Sequence, residues 1–199
     1  MAADQALAHL DIAPLTAATW DALAELFSAG GDPKWCWCQY WRRPNSSWAN
    51  ADPQGNRADL RALADLDPAP GLVALRDGVA VGWVGLGPRV DFERLTRART
   101  IPQLPGEDVW VVNCFVVAKT ARRSGVAGAL LEAAVDYARA HGAHLIEGYP
   151  VQTGGARMSS ASAYTGTAGM FERAGFAEVA PTTSHAAKGL PRIVVRRQP

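Results

Sequence analysis

The feature that most constrains this chain of 199 residues is a buried strand that leads through a basic turn into a long amphipathic helix. Residues 109–117, VWVVNCFVV, are apolar on both faces, which predicts a strand in the middle of a sheet. Residues 124–141 place apolar side chains at helical spacing, and Gly142 stands where helices commonly end. The strand HLIEGYP follows, so this segment predicts two parallel strands joined by a helix.

The other elements predict a mixed α/β fold. Two apolar runs in residues 72–87 flank Asp77-Gly78, a dipeptide suited to a two-residue hairpin turn. Apolar spacing and capping residues indicate further helices, and short apolar runs near the end indicate strands. We predict a short strand or lead-in with a helix in residues 11–30, helices in 52–66 and 161–173, and strands in 176–179 and 192–196.

Composition narrows the class of protein. Hydrophobic residues make up 48% and charged residues 20%, which is typical of a globular chain and excludes disordered and fibrous classes. With a net charge of +1, the protein as a whole has no strong electrostatic attraction to nucleic acid or to an anionic membrane, and we expect neither partner. The longest apolar run is far shorter than the about 20 residues of a membrane span. Residues 1–15 lack the basic start of a secretory signal, so we expect one cytoplasmic domain, 1–199.

The basic turn at residues 122–125, RRSG, is the best candidate for a phosphate site. Small residues at its end let a ligand approach the backbone, and the first N–H groups of a helix are unpaired and carry the positive end of its dipole. The alternative is an ordinary strand-to-helix turn with two solvated arginines. The chain contains neither a GxxxxGK[ST] loop, nor a GxGxxG fingerprint after a strand, nor a GxSxG elbow.

The pattern Arg-x-x-Gly-x-Ala at residues 122–127, the later strand IEGYPV and the segment MFERAGF together resemble the GNAT superfamily of N-acetyltransferases. The resemblance covers residues 109–176 best. It implies a mostly antiparallel central sheet flanked by helices, with a splayed pair of parallel central strands. It also implies acetyl-CoA as co-substrate. Backbone groups of Phe115, Val116 and Val117 would bind the pantetheine arm. The turn and the start of the helix would bind the diphosphate, through Arg122, Arg123, Ser124, Gly125, Val126, Ala127 and Gly128.

The activity that this resemblance implies is acetyl transfer to a primary amine of a small molecule or a protein, by direct attack within a ternary complex. Residues 1–70 would then form variable helices on the acceptor side, and residues 72–199 the hairpin, the acetyl-CoA-binding core and the last strands. The alternative is a non-catalytic acyl-CoA-binding sensor or interaction module. Dimerisation is common among similar proteins, but no segment of this chain specifies an interface.

Two residues are candidates for proton transfer. Glu147 is an acid within an otherwise apolar strand, which favours a general base, although a structural carboxylate bonded to backbone or arginine is the alternative. The family often places a donor tyrosine where this chain has Phe171, so Tyr164 is the candidate acid, with plain packing as its alternative and Tyr149 as a weaker choice. Forming a free amine at pH 7 costs about 4.6 kcal/mol. Positioning two substrates supplies about 7–11 kcal/mol, so no single base is indispensable.

The segment WCWCQYWRRPNSSW, residues 35–48, has no clean period. Its aromatic side chains are suited to two roles. They could form the wall of an acceptor pocket, through stacking on a ring or cation–π contact with an ammonium group, or they could form the core beneath the N-terminal helices. Cys36 and Cys38 lack a second pair of ligands at zinc spacing, so we expect no metal. Cys114 is expected to be a small buried hydrophobe rather than a nucleophile.

Overall fold

The computed structural model describes residues 9–159 and 161–199. The first eight residues of the segment that we analysed for a secretory signal lie outside the described residues. Seven strands form one sheet in the described part: β1 Leu10–Pro14, β2 Gly71–Arg76, β3 Val79–Pro88, β4 Val109–Val117, β5 Leu145–Gly148, β6 Ala177–His185 and β7 Pro191–Arg197.

The helices of the described part are α1 Ala17–Ser28, α2 Pro33–Cys36, α3 Asn45–Trp48, α4 Pro53–Leu63, α5 Glu93–Thr96, α6 Val126–Ala140 and α7 Ala168–Arg173. The sequence predicted α1, α4, α6 and α7, but not the four-residue helices α2, α3 and α5. The strand order is β1-β2-β3-β4-β5-β7-β6, in which only β4 and β5 pair in parallel. The predicted fold class, a mixed and mostly antiparallel sheet with a parallel central pair, is confirmed. Within the described residues no helix is both long and apolar enough to span a membrane.

Local sequence signals position several of these elements. Asp77 and Gly78 both have positive φ (50° and 78°), the geometry that a two-residue hairpin turn between β2 and β3 needs. Asp52 caps α4, because its carboxylate accepts a hydrogen bond from the Gly55 N–H at 2.9 Å. The hairpin and this helix therefore begin and end where residue chemistry predicts.

Helix α7 is shorter than expected. The prediction of a helix over residues 161–173 is wrong for its first half, because residues 161–165 form turns and the helix begins only after Thr167. Thr167 has extended backbone angles (φ −113°, ψ 149°), which end the preceding turn and start α7. The residues before it, ASAYTG, include serine, threonine and glycine, which are weak helix formers without tertiary support.

The sheet has a packed core on each face. Helices α6 and α7 cover one face, where Leu130 and Phe171 are fully buried against strands β2 to β5. Helices α1 and α4 cover part of the other face, where Trp37 and Trp83 lie in the same buried cluster. A third cluster continues that second face toward β5 and β7, and it contains Trp41, Phe92, Leu95, Ile101, Val111, Tyr149 and Val194. The long connection after β3 is thus packed rather than loose.

Strands β4 and β5 separate after a short contact. Val109 to Val112 pair with Leu145 to Gly148, and β4 then continues to Val117 without β5 beside it. Gly148 marks the end of the contact, because a Cβ added there would lie 2.3 Å from the ring of Phe171. The phenylalanine of α7 therefore packs directly on the last residue of β5 while β4 runs on alone.

A buried ion cluster holds β5, β7 and the connection after β3 together. Glu147 of β5 is 1% exposed, and its carboxylate accepts hydrogen bonds from the Tyr149 hydroxyl and from Arg196 Nε at 2.7 Å. Arg196 also donates to the backbone oxygens of Leu104 and Pro105. Arg89 lies 3.6 Å from the same carboxylate and donates to Leu104 as well. One carboxylate therefore anchors two strands and a loop.

We expect Glu147→Gln to lower the free energy of unfolding by about 3 kcal/mol, because removing one member of a buried pair leaves the partner charge uncompensated. Urea unfolding followed by tryptophan fluorescence measures the change. Glu178→Gln, on the exposed strand β6, is the control and should stay within about 0.5 kcal/mol of the parent protein. Equal stability of the two variants would contradict a structural role for this carboxylate.

Candidate functional site

A cavity of about 490 Å³ opens where β4 leads into α6. One wall consists of the end of β4, the basic turn and the first residues of α6. The other wall belongs to α7 and the residue before it. Its lining residues are Val117, Ala121, Arg122, Arg123, Gly125, Val126, Ala127, Gly128, Glu132, Thr167, Met170, Arg173 and Ala174.

The start of α6 presents unpaired backbone donors to this cavity. Gly125 is the N-cap in a left-handed conformation (φ 87°), and no side chain caps the helix. The first hydrogen bond of the helix runs from the Ala129 N–H to the Gly125 oxygen at 3.0 Å, so the amides of the first turn precede the hydrogen-bonded ladder. A Cβ at Gly128 would meet nothing within 4 Å, so the space in front of this turn is open.

The cavity carries excess positive charge. Arg122 and Arg123 are exposed in the turn, and Arg173 is exposed on α7. Arg122 donates from Nε to the Val117 oxygen at 3.3 Å, which leaves its two terminal nitrogens toward solvent. Glu132 is the one acid on the lining, and it pairs with Arg197 at 2.9 Å. The site therefore favours a ligand with several negative charges.

Strand alternation decides which β4 amides face the opening beside α7. The Ala118 N–H donates to the Val81 oxygen of β3 at 2.9 Å, so the Val116 amide, two residues earlier, also faces β3. The amides of Phe115 and Val117 face the opposite side. The Phe115 N–H already donates to the Tyr164 oxygen at 2.7 Å. Val117 is thus the β4 residue whose backbone N–H faces the cavity, while its carbonyl oxygen accepts the hydrogen bond from Arg122.

Seven of the ten residues predicted to bind the co-substrate line this cavity: Val117, Arg122, Arg123, Gly125, Val126, Ala127 and Gly128. The other three lie beside it. Phe115 packs its ring against Phe171, Val116 lies on the opposite face of the sheet, and the Ser124 hydroxyl donates to the Ala121 oxygen at 2.7 Å. Ser124 therefore stabilises the turn, and its hydroxyl is already engaged.

Glu147 is not on the cavity lining. Its carboxylate is held by Arg196 and Tyr149 within the buried ion cluster described above. Both of its oxygens are engaged by protein donors and the side chain is buried, so an incoming amine has no open path to this carboxylate. The geometry favours the alternative interpretation, a structural carboxylate. The two acids that directly precede β4, Glu107 and Asp108, are exposed.

Tyr164 lies at the point where β4 leaves β5. Its carbonyl oxygen bonds the Phe115 amide, and its half-buried ring packs on the third cluster with the Arg192 guanidinium 5.5 Å from the ring centre. Burial raises the pKa of the Tyr164 hydroxyl above its ordinary value, and the side chain is not on the lining of the α6 cavity. Phe171, at the family's usual tyrosine position, is fully buried and has no proton to donate.

The aromatic segment divides between core and surface. Trp37 stacks on Trp20 in the second cluster, and Trp41 belongs to the third. Trp35 is 42% exposed and meets Trp48 edge to face at 5.0 Å. Trp37 and Trp41 are therefore core residues, as one of the two interpretations predicted, and the role of the more exposed aromatic residues stays a prediction.

The cysteines form a cluster that the sequence did not predict. Cys38 Sγ lies 2.8 Å from Cys114 Sγ, which joins the aromatic segment to β4. A hydrogen bond between Cys36 and Cys38 raises the pKa of the Cys36 thiol, and burial raises that of Cys38. Raised pKa values disfavour the nucleophilic thiolate. Across the described residues, no group of three histidine, cysteine or acidic side chains is arranged to hold a metal ion.

Sequence reasoning missed the α7 wall of the cavity. Thr167, Met170, Arg173 and Ala174 lie on the same side of α7 and face the basic turn. The segment MFERAGF contributes to the family resemblance, but the order of its residue types does not show which side of a six-residue helix faces a cavity. The available signal was helical spacing, because positions 167, 170, 173 and 174 share one face.

The chain is similar to known acetyltransferases. A family model described as the acetyltransferase (GNAT) family matches residues 20–157. A GCN5-related N-acetyltransferase from Kribbella flavida is 19% identical with a TM-score of 0.59, and the match covers 96% of this chain and 99% of that one. A ribosomal-protein-alanine N-acetyltransferase from Brucella melitensis is 19% identical with a TM-score of 0.56, and the match covers 95% of this chain and 99% of that one.

A third solved structure, yncA from Salmonella typhimurium with its cofactor acetyl-CoA, is 17% identical with a TM-score of 0.56, and the match covers 96% of this chain and 94% of that one. No curated protein sequence matches the chain significantly. The solved structures share the fold, and the family model covers more than half of the chain. The predicted resemblance is confirmed, and the chain belongs to the acetyltransferase (GNAT) family.

Proposed function

We propose that this protein transfers an acetyl group from acetyl-CoA to a primary amine of a small molecule or a protein, by direct attack of the amine within a ternary complex. Acetyl-CoA is the co-substrate because the chain belongs to an acetyltransferase family. The observation that carries the proposal is the α6 cavity, in which uncapped helix amides and unpaired arginines surround open space beside the free end of β4.

The residues at this cavity fit coenzyme A. The amides at the start of α6, with the guanidinium groups of Arg122 and Arg123, suit the diphosphate, since helix N-termini and arginines both favour phosphate oxygens. Gly128 leaves the approach open. The free N–H of Val117 faces the same space and suits an amide oxygen of the pantetheine arm, which would lie along β4 like an added strand.

Positioning is the main catalytic contribution in this proposal. The amine nitrogen forms a bond to the thioester carbon, the carbon–sulfur bond breaks, and the released thiolate takes up a proton. A backbone N–H that donates to the thioester oxygen contributes about 2.7–4 kcal/mol. Alignment of two bound substrates contributes about 7–11 kcal/mol, which exceeds the about 4.6 kcal/mol needed to deprotonate a lysine-like amine.

Proton transfer falls to Tyr164 and to water. A tyrosine hydroxyl carries its proton at neutral pH at its ordinary pKa, and Tyr164 lies beside the end of the β4–β5 contact, next to the lining of the α6 cavity but not on it. We therefore assign it the role of the acid that protonates the departing thiolate. The amine loses its proton to water, since the carboxylate of Glu147, the predicted base, is engaged by Arg196 and Tyr149.

An assay of thiol release separates this enzyme from a non-catalytic acyl-CoA sensor. The purified protein is mixed with acetyl-CoA and a panel of primary amines that includes polyamines, amino acids and peptides with free N-termini. We expect thiol release to depend on one class of amine and on protein concentration. Tight binding of acetyl-CoA by calorimetry without amine-dependent release would favour the sensor instead.

A charge reversal tests the diphosphate site. We expect Arg123→Glu combined with Gly125→Asp to weaken acetyl-CoA binding on the order of 100-fold, because both changes place negative charge at the uncapped start of α6. Isothermal calorimetry measures the dissociation constant.

The matched control is Arg123→Gln with Gly125→Asn. It imposes similar side-chain shapes and the same left-handed backbone at position 125 without negative charge. We expect this control to bind at least tenfold more tightly than the charged variant. Equal affinities in the two variants would place the diphosphate elsewhere.

A second variant tests the acid. We expect Tyr164→Phe to lower turnover on the order of 100-fold while the dissociation constant of acetyl-CoA changes less than about twofold, because the proton donor acts after binding. Tyr149→Phe is the control, since it removes another buried hydroxyl that is bonded to Glu147 instead. Turnover in Tyr164→Phe equal to that of Tyr149→Phe would make Tyr164 a packing residue.

A further inference from the structure

The α7 wall of the cavity carries one cation that the diphosphate site does not use. Arg173 is exposed on the cavity lining, and among the described residues its guanidinium makes no hydrogen bond or ion pair. Arg197, by contrast, pairs with Glu132 of the cavity lining at 2.9 Å. An arginine without a protein partner on a cavity wall is available for a ligand.

The position of Arg173 is set by a rigid support. Phe171, two residues earlier, is fully buried against β5, and Ala174, the next residue, is 7% exposed in the same core. Arg173 Nη1 lies 3.6 Å from where a Cβ of Gly169 would stand, so the side chain folds back along α7 into room that the glycine leaves. The exposed guanidinium therefore lies along α7 beside the cavity.

The charges of the cavity exceed the needs of a diphosphate. The amides of α6 with Arg122 and Arg123 form one wall, and Arg173 stands on the other, contributed by α7. The single acid on the lining is neutralised by Arg197. Coenzyme A carries one phosphate besides its diphosphate, on the 3′ carbon of the ribose. A third cation on a separate wall matches a second, separate phosphate group.

The geometry points to Arg173 as the residue that binds the ribose 3′-phosphate of the acetyl donor. This inference rests on the proposed function, because it concerns the same cavity. Its consequence is donor specificity: the protein distinguishes free acetyl-CoA from acetyl thioesters that lack the 3′-phosphate, such as 3′-dephospho-acetyl-CoA or an acetyl group on the phosphopantetheine of a carrier protein.

Calorimetry with two donors tests this specificity. Acetyl-CoA and 3′-dephospho-acetyl-CoA are titrated into the parent protein, Arg173→Ala and Arg173→Lys at low ionic strength. We expect the parent protein to prefer acetyl-CoA about tenfold, which corresponds to about 1.4 kcal/mol. The preference should fall below about twofold in Arg173→Ala and stay intermediate in Arg173→Lys, because lysine keeps the charge but loses the two-pronged contact with phosphate.

The control is Arg99→Ala, which removes an exposed arginine that does not line the cavity. It should retain the tenfold preference. The preference of the parent protein should also shrink as salt rises, since the contact is solvent-accessible.

A preference that is unchanged in Arg173→Ala, or absent from the parent protein, overturns the assignment of Arg173 while leaving the proposed acetyl transfer intact. Failure of the parent protein to bind either donor would overturn the proposed function itself. The two failures are therefore distinguishable in one set of titrations.

Discussion

The ring of Phe171 packs on Gly148 at the place where β5 would otherwise continue beside β4. Because Gly148 has no side chain, the ring reaches the sheet surface, and the chain after β5 turns toward residues 166–168 instead of extending the parallel pair. Five residues of β4 consequently run on with one edge free of β5. The cavity, the accessible backbone of Val117 and the position of Tyr164 all follow from this separation.

Arginines have two different roles around the gap between β4 and β5. Arg89 and Arg196 lie beside the buried carboxylate of Glu147 and tie β5 and β7 to the connection after β3. Arg123 and Arg173 lie on the cavity, exposed and without partners among the described residues. The donors of a buried, paired guanidinium are used in hydrogen bonds that hold strands and loop together, whereas an unpaired guanidinium has donors free for a phosphate group. The protein thus separates structural from ligand-binding charge.

Much of this arrangement was predictable from short stretches of sequence. The hairpin at Asp77-Gly78, the cap at Asp52 and the strand–turn–helix unit around Gly125 depend on neighbouring residues, and each occurs where the pattern predicted it. The functional meaning of Glu147 was not predictable in this way. Its partners Arg89 and Arg196 lie about sixty residues before it and about fifty after it in sequence, so only the folded sheet decides between a base and a structural carboxylate.

The same division holds for the site as a whole. By itself the sequence determined the basic turn, the helix that begins uncapped after it and the apolar strand before it, because backbone dihedral preferences and apolar periodicity act over a few residues. Tertiary structure alone decided that α7 starts at Ala168 and brings Arg173 to the cavity, and that Cys38 meets Cys114. Those contacts join segments remote along the chain, and their free energy comes from burial that exists only when the whole sheet has formed.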